Sequence, residues 1–223
     1  FEEETNLRAT LVLDVSRSMA WTGAPNRLTK LAYAERLTAA LALLLIRQRD
    51  AVGLVRYDEQ VRSAVPPRAR TGHWRRLLAA LEEPGAGLAS SAPQALTQAA
   101  RLISRRGMIV LISDLLMDAP DVERALKGLR AMGHDITVLH IMDPAERGLG
   151  GSGEALFVDP ESDLRVPASV ADVRTAYRKT VDEVIAEWRD MLTASGVSYE
   201  VILTDESFGV PLRRAFAARQ RLP

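Results

Sequence analysis

Leu11-Val12-Leu13-Asp14-Val15-Ser16-Arg17-Ser18-Met19 carries an apolar run straight into the pattern Asp-x-Ser-x-Ser. Apolar residues at successive rather than alternate positions mark a strand buried on both faces, as in parallel sheets covered by helices. Open sheets of that kind bind ligands beyond the carboxyl ends of their strands, where Asp14 and two hydroxyls arrive together. Oxygen donors suit a hard cation such as Mg²⁺, with Mn²⁺ or Ca²⁺ as substitutes. A plainer reading has Asp14 and the serines cap the next helix. Both stand at this level.

A chain of 223 residues with 47% hydrophobic and 26% charged composition predicts one domain over residues 1–223 with a sizeable core. Lys plus Arg and Asp plus Glu are each 29, so net charge offers no general attraction to nucleic acid or anionic membrane. Cysteine is absent. That excludes thiol chemistry and disulfides and suits a reducing compartment, so a cytoplasmic location is the expectation. The longest apolar run, residues 37–46, falls short of the ~18 residues of a membrane span and reads as a buried helix. The chain opens at Phe1-Glu2-Glu3-Glu4 without methionine, and an upstream segment is expected.

Strands are expected over residues 8–14, 52–57, 108–112, 136–141 and 198–203, with a hairpin partner at 61–65 ended by Pro66-Pro67. Helices are expected over 30–49, 74–81, 93–104, 121–132, 170–194 and 211–219, and a small hairpin around Asp159-Pro160. The alternation predicts an α/β, doubly wound, mostly parallel sheet with helices on both faces and one antiparallel edge strand. Right-handed crossovers bring the strand ends to one rim, so Asp14 and Asp114 meet there if their strands are neighbours. The loop Gly85-Ala86-Gly87-Leu88-Ala89-Ser90-Ser91 ahead of a helix is expected to add a hydroxyl, Ser90 before Ser91.

The strand with Asp14-x-Ser16-x-Ser18, a hydroxyl ahead of the Ala95-Leu96 helix and the strand ending in Ser113-Asp114 together resemble the metal-ion-dependent adhesion site of von Willebrand factor A (VWA) domains. The resemblance runs over nearly the whole chain. It looks closest to a bacterial family of uncharacterised VWA-like proteins commonly encoded beside MoxR-type AAA+ ATPases. Gly53-Leu54-Val55, Ile112-Ser113-Asp114-Leu115, Gly133-His134 and Val138-Leu139-His140-Ile141-Met142-Asp143-Pro144 carry it further, as does Tyr177. In longer members an arginine-rich segment with an Asp-Trp motif precedes this point. The resemblance implies a cation held by Asp14, Ser16, Ser18, Ser90 and Asp114, the acids acting directly or through water, with a partner protein's Asp or Glu completing the shell. It further implies a non-enzymatic adaptor whose partner is a MoxR-type ATPase or that ATPase's client. Ser90 departs from the family's usual threonine but keeps the hydroxyl.

Two other readings stand beside it. Asp14 as the nucleophile of a Mg²⁺-dependent phosphohydrolase lacks a second acid at Ser16, and none of Lys30, Lys127 and Lys179 is expected near the rim. A metal-free interaction scaffold would leave Asp14, Ser16, Ser18 and Asp114 without a role. Gly-x-Ser-x-Gly and Walker-type loops are absent, and His73, His134 and His140 are expected to be structural. Asp58-Glu59 reads as a hairpin turn, Asp118 and Asp121 as helix caps, and Asp143 and Glu146 are left out of the site. Arg17 reads as a solvated side chain. The apolar face of the 170–194 helix is expected to pack on the sheet.

Overall fold

In chain order the elements are β1 (Arg8–Asp14), a 3₁₀ turn (Arg17–Ala20), α1 (Lys30–Arg47), β2 (Ala51–Tyr57), β3 (Val61–Arg68), α2 (His73–Leu81) and α3 (Ala92–Leu102). There follow β4 (Met108–Ser113), α4 (Ala119–Ala131), β5 (Asp135–Met142), α5 (Pro144–Gly148), β6 (Glu154–Val158), β7 (Arg165–Ser169), α6 (Val170–Ala194) and β8 (Ser198–Leu203). This is a computed structural model that describes residues 7–70, 72–84, 92–103, 105–158, 165–210 and 212–213. The Ser90 and Ser91 assignments and most of the 211–219 helix lie outside the described residues.

Among the described residues six strands form one sheet of order β3-β2-β1-β4-β5-β8, in which only β3 is antiparallel. Successive residues of each central strand serve opposite faces. Leu11 and Leu13 of β1, with Val110 and Ile112 of β4, join the core under α1 and α2. Val12, Ile109 and Leu111 join the core under α3, α4 and α6. The sheet is therefore doubly wound, with helices on both faces and one antiparallel edge, and β6 and β7 stand apart as an antiparallel pair.

Three local features depart from the sequence reading. β3 does not stop at Pro66-Pro67 but runs on to Arg68, which pairs with Val52. The two prolines sit at a shift in register between the Val65–Leu54 and Arg68–Val52 pairs, opposite Gly53, and an edge strand tolerates residues that cannot donate to a ladder. A Cβ on Gly53 would lie 2.8 Å from the Pro67 ring and from the Val65 carbonyl oxygen. Gly53→Ala is therefore expected to lower stability by about 1–3 kcal/mol through overpacking, which chemical denaturation would measure; an unchanged midpoint would mean the bulge relaxes freely.

The second departure is α5, a short helix where only an Asp-Pro turn was expected. Asp143 caps it, Pro144 occupies its first turn, and Glu146 closes a capping box on the Asp143 backbone N–H. The third is α6. Ile185, Trp188 and Leu192 pack on the sheet as expected, but Val184 is exposed and Tyr177 and Val181 are only half-buried. The amino-terminal half of this helix overhangs the rim instead of covering it.

Candidate metal centre at the strand-end rim

β1 and β4 are parallel neighbours, with Leu13 opposite Ile112, so the chain leaves both strands side by side at Asp14 and Ser113. Asp14 is fully buried. Its Oδ1 accepts the Ser16 backbone N–H at 2.9 Å and its Oδ2 accepts the Ser113 hydroxyl at 2.7 Å, with the Tyr57 hydroxyl 3.5 Å away. Ser113 Oγ in turn accepts the Leu115 N–H at 3.0 Å. The Ser16 and Ser18 Oγ atoms stand 3.1 Å apart, and Arg17 between them is exposed. Asp14, Ser16 and Ser18 thus gather as the pattern predicted. Tyr57 joins them, as does Ser113, which the sequence motif contains but does not assign to the site, although the β1–β4 register places it beside Asp14.

Burial and the nearby Asp114 charge push the Asp14 carboxyl up to about 6, against the lowering effect of its bonds to Ser113 and Ser16. Near neutral pH the protein therefore holds a poorly solvated carboxylate beside two hydroxyls, an arrangement that a cation would relieve. The 3.1 Å between the two serine oxygens suits adjacent positions of an octahedron with ligands at about 2.1 Å, whose edge is about 3.0 Å, the geometry that Mg²⁺ demands. Among the described residues no three His, Cys, Asp or Glu side chains are grouped to hold a metal, so hydroxyls and water would supply most of the donors here. The residues present fit such an ion.

Asp114 is engaged differently from its sequence assignment. Its Oδ2 accepts the Lys30 ammonium at 2.9 Å, and the same ammonium donates to Glu146 Oε1 at 2.5 Å. Lys30 and Asp114 are 1% and 3% exposed. The expectation that no lysine reaches the rim is corrected. α1 starts at the rim, and helical side chains lean back toward the helix amino terminus, so Lys30, its first residue, falls onto the site. Burial pulls the Lys30 ammonium down, but Asp114 and Glu146 outweigh it and hold it above its ordinary value. The Leu116 N–H reaches Asp114 Oδ1 at 3.3 Å after Leu115 turns through φ 53°, a left-handed conformation unfavourable for leucine.

Other polar groups are held within the fold. Asp143 is buried and binds Arg27 at 2.7 Å and the Gly23 N–H at 3.2 Å, tying the loop before α1 to α5. Asp58 closes the β2–β3 turn on Arg62 and the Gln60 N–H, and Asp118 caps α4. His73 bonds the Val52 carbonyl at 2.7 Å. Burial takes His140 down to about 4, so it is neutral where it meets the Tyr199 hydroxyl at 2.7 Å. A cleft of about 330 Å³ opens beside Asp114, walled by Lys30, Glu146 and His140 on one side and by Tyr177, Val181 and Val184 of the overhanging α6 on the other.

Comparison with known proteins places this architecture. A family model described as protein of unknown function DUF58 matches residues 1–187. No curated protein matches the chain. Among solved structures, the conserved hypothetical protein BatB from Bacteroides thetaiotaomicron superposes with a TM-score of 0.60 at 14% identity, over 97% of this chain and 100% of that one. An aerotolerance-related membrane protein from Bacteroides fragilis, solved with multiple mutations to serines, gives 0.60 at 15% identity over the same shares. The pilus adhesin SpaC from Lactobacillus rhamnosus GG gives 0.61 at 11% identity, over 97% of this chain and 30% of that one. At these identities the likeness is one of fold.

Proposed function

The chain belongs to the DUF58 family of proteins of unknown function, and from that premise and the rim's geometry we propose a non-enzymatic, VWA-like binding module. It holds a divalent cation, Mg²⁺ before Mn²⁺ or Ca²⁺, and recognises a carboxylate on a partner protein through it. The observation that carries this reading is the pair of serine oxygens 3.1 Å apart beside the buried Asp14 carboxylate. Ser16 and Ser18 are the direct donors. Asp14 already accepts two protein hydrogen bonds and acts through water. Asp114, bound to Lys30, acts at longer range. The bound cation supplies an open position for an outside carboxylate. The neighbouring cleft offers room for an apolar side chain of the same partner. A MoxR-type AAA+ ATPase, or a client of one, is the partner class that the sequence resemblance suggests.

The test is thermal unfolding in EDTA and then across Mg²⁺ and Mn²⁺ titrations, with Asp14→Ala alongside. A cation at about a hundred times its dissociation constant adds roughly 2.7 kcal/mol to the native state. The expected result is a rise in Tm in the wild type that the variant lacks. No rise in either would sink the metal reading and leave the metal-free scaffold. Lys30 at the rim favours one second reading, the phosphohydrolase with Asp14 as nucleophile, because a lysine is what stabilises a transferred phosphoryl group. Against it, the ammonium is already committed to two carboxylates. Turnover of an aryl phosphate that disappears in Asp14→Ala would establish that reading in place of ours.

A further inference from the structure

The parallel strands all begin at the end of the sheet opposite the candidate metal centre, and that end is rich in arginine. Arg47 closes α1, Arg68 pairs with the start of β2, Arg70 and Arg76 flank the start of α2, and Arg105 and Arg106 lead into β4. All six are exposed. Among the described residues none of them forms an ion pair. Arg68, Arg70, His73 and Arg76 line a hollow of about 270 Å³. Acids are sparse on this side: Asp50 is buried, and Asp135 faces Arg130 nearer to β8, where Glu187 and Asp190 stand on the last turns of α6. Glu2, Glu3 and Glu4 lie outside the described residues, and setting all three against this end would still leave arginine in excess. At the opposite rim, by contrast, Asp58, Asp114, Asp143 and Glu146 are ion-paired with Arg62, Lys30 and Arg27. A net charge of zero thus conceals an end where arginines gather without acid partners.

We propose that the arginine-rich end is a docking face for the surface of an anionic phospholipid bilayer. Charge complementarity supplies the attraction. Two large apolar side chains among the arginines choose the bilayer over nucleic acid: Leu102, ending α3, is 54% exposed, and Met132, following α4, is 51% exposed. A headgroup layer takes guanidinium groups and apolar side chains together. Single-stranded nucleic acid is gripped through aromatic platforms, and the one strongly exposed aromatic residue among the described ones, Trp21, lies toward the other end. Docked in this way, the domain points its strand-end rim away from the lipid and leaves it open to partners. This inference is independent of any cation at that rim.

The experiment is co-sedimentation of the chain with vesicles of phosphatidylcholine alone and with roughly one third phosphatidylglycerol, at low and high salt. Binding is expected only to the anionic vesicles, weakening as salt rises. A basic residue near such a surface is worth about a five-fold change in affinity. The exposed pair Arg68→Gln/Arg70→Gln should therefore bind about 25-fold more weakly, and Leu102→Ser/Met132→Ser should also bind more weakly. Arg178→Gln, the same loss of charge at an exposed position in the first half of α6, should bind like the wild type. Equal binding to both vesicle types, undiminished binding by the arginine double variant, or tighter binding to an oligonucleotide than to the anionic vesicles would overturn the proposal.

Discussion

Lys30→Met is expected to destabilise the protein by about 3–5 kcal/mol, the cost of stripping one partner from a buried ion pair. Asp114 is 3% exposed and accepts Lys30 Nζ at 2.9 Å, so the variant leaves a carboxylate with little water and no counter-charge, close to the Asp14 carboxyl that already feels its repulsion. Glu146 is 25% exposed and can recover some solvation, which keeps the loss within that range. Adding Asp114→Asn should restore part of the stability, because the uncompensated charge goes with it. The same logic predicts a second readout. Without the ammonium, Asp114 is free to favour a cation, so the rise in Tm on adding Mg²⁺ should be larger in Lys30→Met than in the wild type. Denaturant unfolding in EDTA and in Mg²⁺ measures both. A near-neutral variant would mean that the ion pair is not held in solution, and a smaller Mg²⁺ increment would make Lys30 a positioning residue that the site needs.

The fold was legible in the chain wherever burial on both faces leaves a mark. Residues 11–13 and 108–112 are apolar without alternation, which only a sheet covered on both sides requires; the strand order, which sets β1 beside β4, is not written in that pattern, because crossover handedness fixes the face a helix covers and not the strand it leads to. Pro66-Pro67 misled because a proline normally ends a ladder, and the compensation lies across the strand in Gly53, whose missing side chain leaves room for the bulge. α5 was written in Asp143-Pro144 with Glu146 three residues on, a cap signature that a five-residue helix scarcely announces among turn residues. At the site, local spacing revealed Asp14, Ser16 and Ser18. Ser113 and Tyr57 come from neighbouring strands and needed the register. Lys30 needed the direction in which a helix throws its first side chain. The gathering of arginines at one end is invisible to a net charge, because it depends on which loops share an end of the sheet.

Asp14→Asn is expected to move stability and function in opposite directions. The native Asp14 carboxyl sits at about 6, raised by burial and by Asp114, whereas an unfolded aspartate titrates near 3.9. A raised native value means that the folded state binds the extra proton, so this group's contribution to stability falls as pH climbs from about 4 to about 6 and stays low above that. The full penalty is roughly 3 kcal/mol. Asparagine is never charged, and it can still accept the Ser16 N–H; its amide NH2 replaces the oxygen to which the Ser113 and Tyr57 hydroxyls donate, so Ser113 Oγ must accept from it and the two hydroxyl hydrogens must turn elsewhere, which offsets part of the gain. In EDTA the variant should therefore be more stable than the wild type at pH 7, by up to about 3 kcal/mol, and the advantage should shrink toward zero near pH 4. Mg²⁺ should reverse the order, because a cation lowers the carboxyl and removes its penalty, while the amide offers it no charge. In the wild type, Mg²⁺ affinity should weaken below about pH 6 as protons compete for Asp14, and calorimetry should record proton release on binding. A variant less stable than the wild type at every pH would show that the charged form of Asp14 is itself the stabilising one, held by Ser16, Ser113 and Tyr57, and the case for a site strained toward a cation would fail with it.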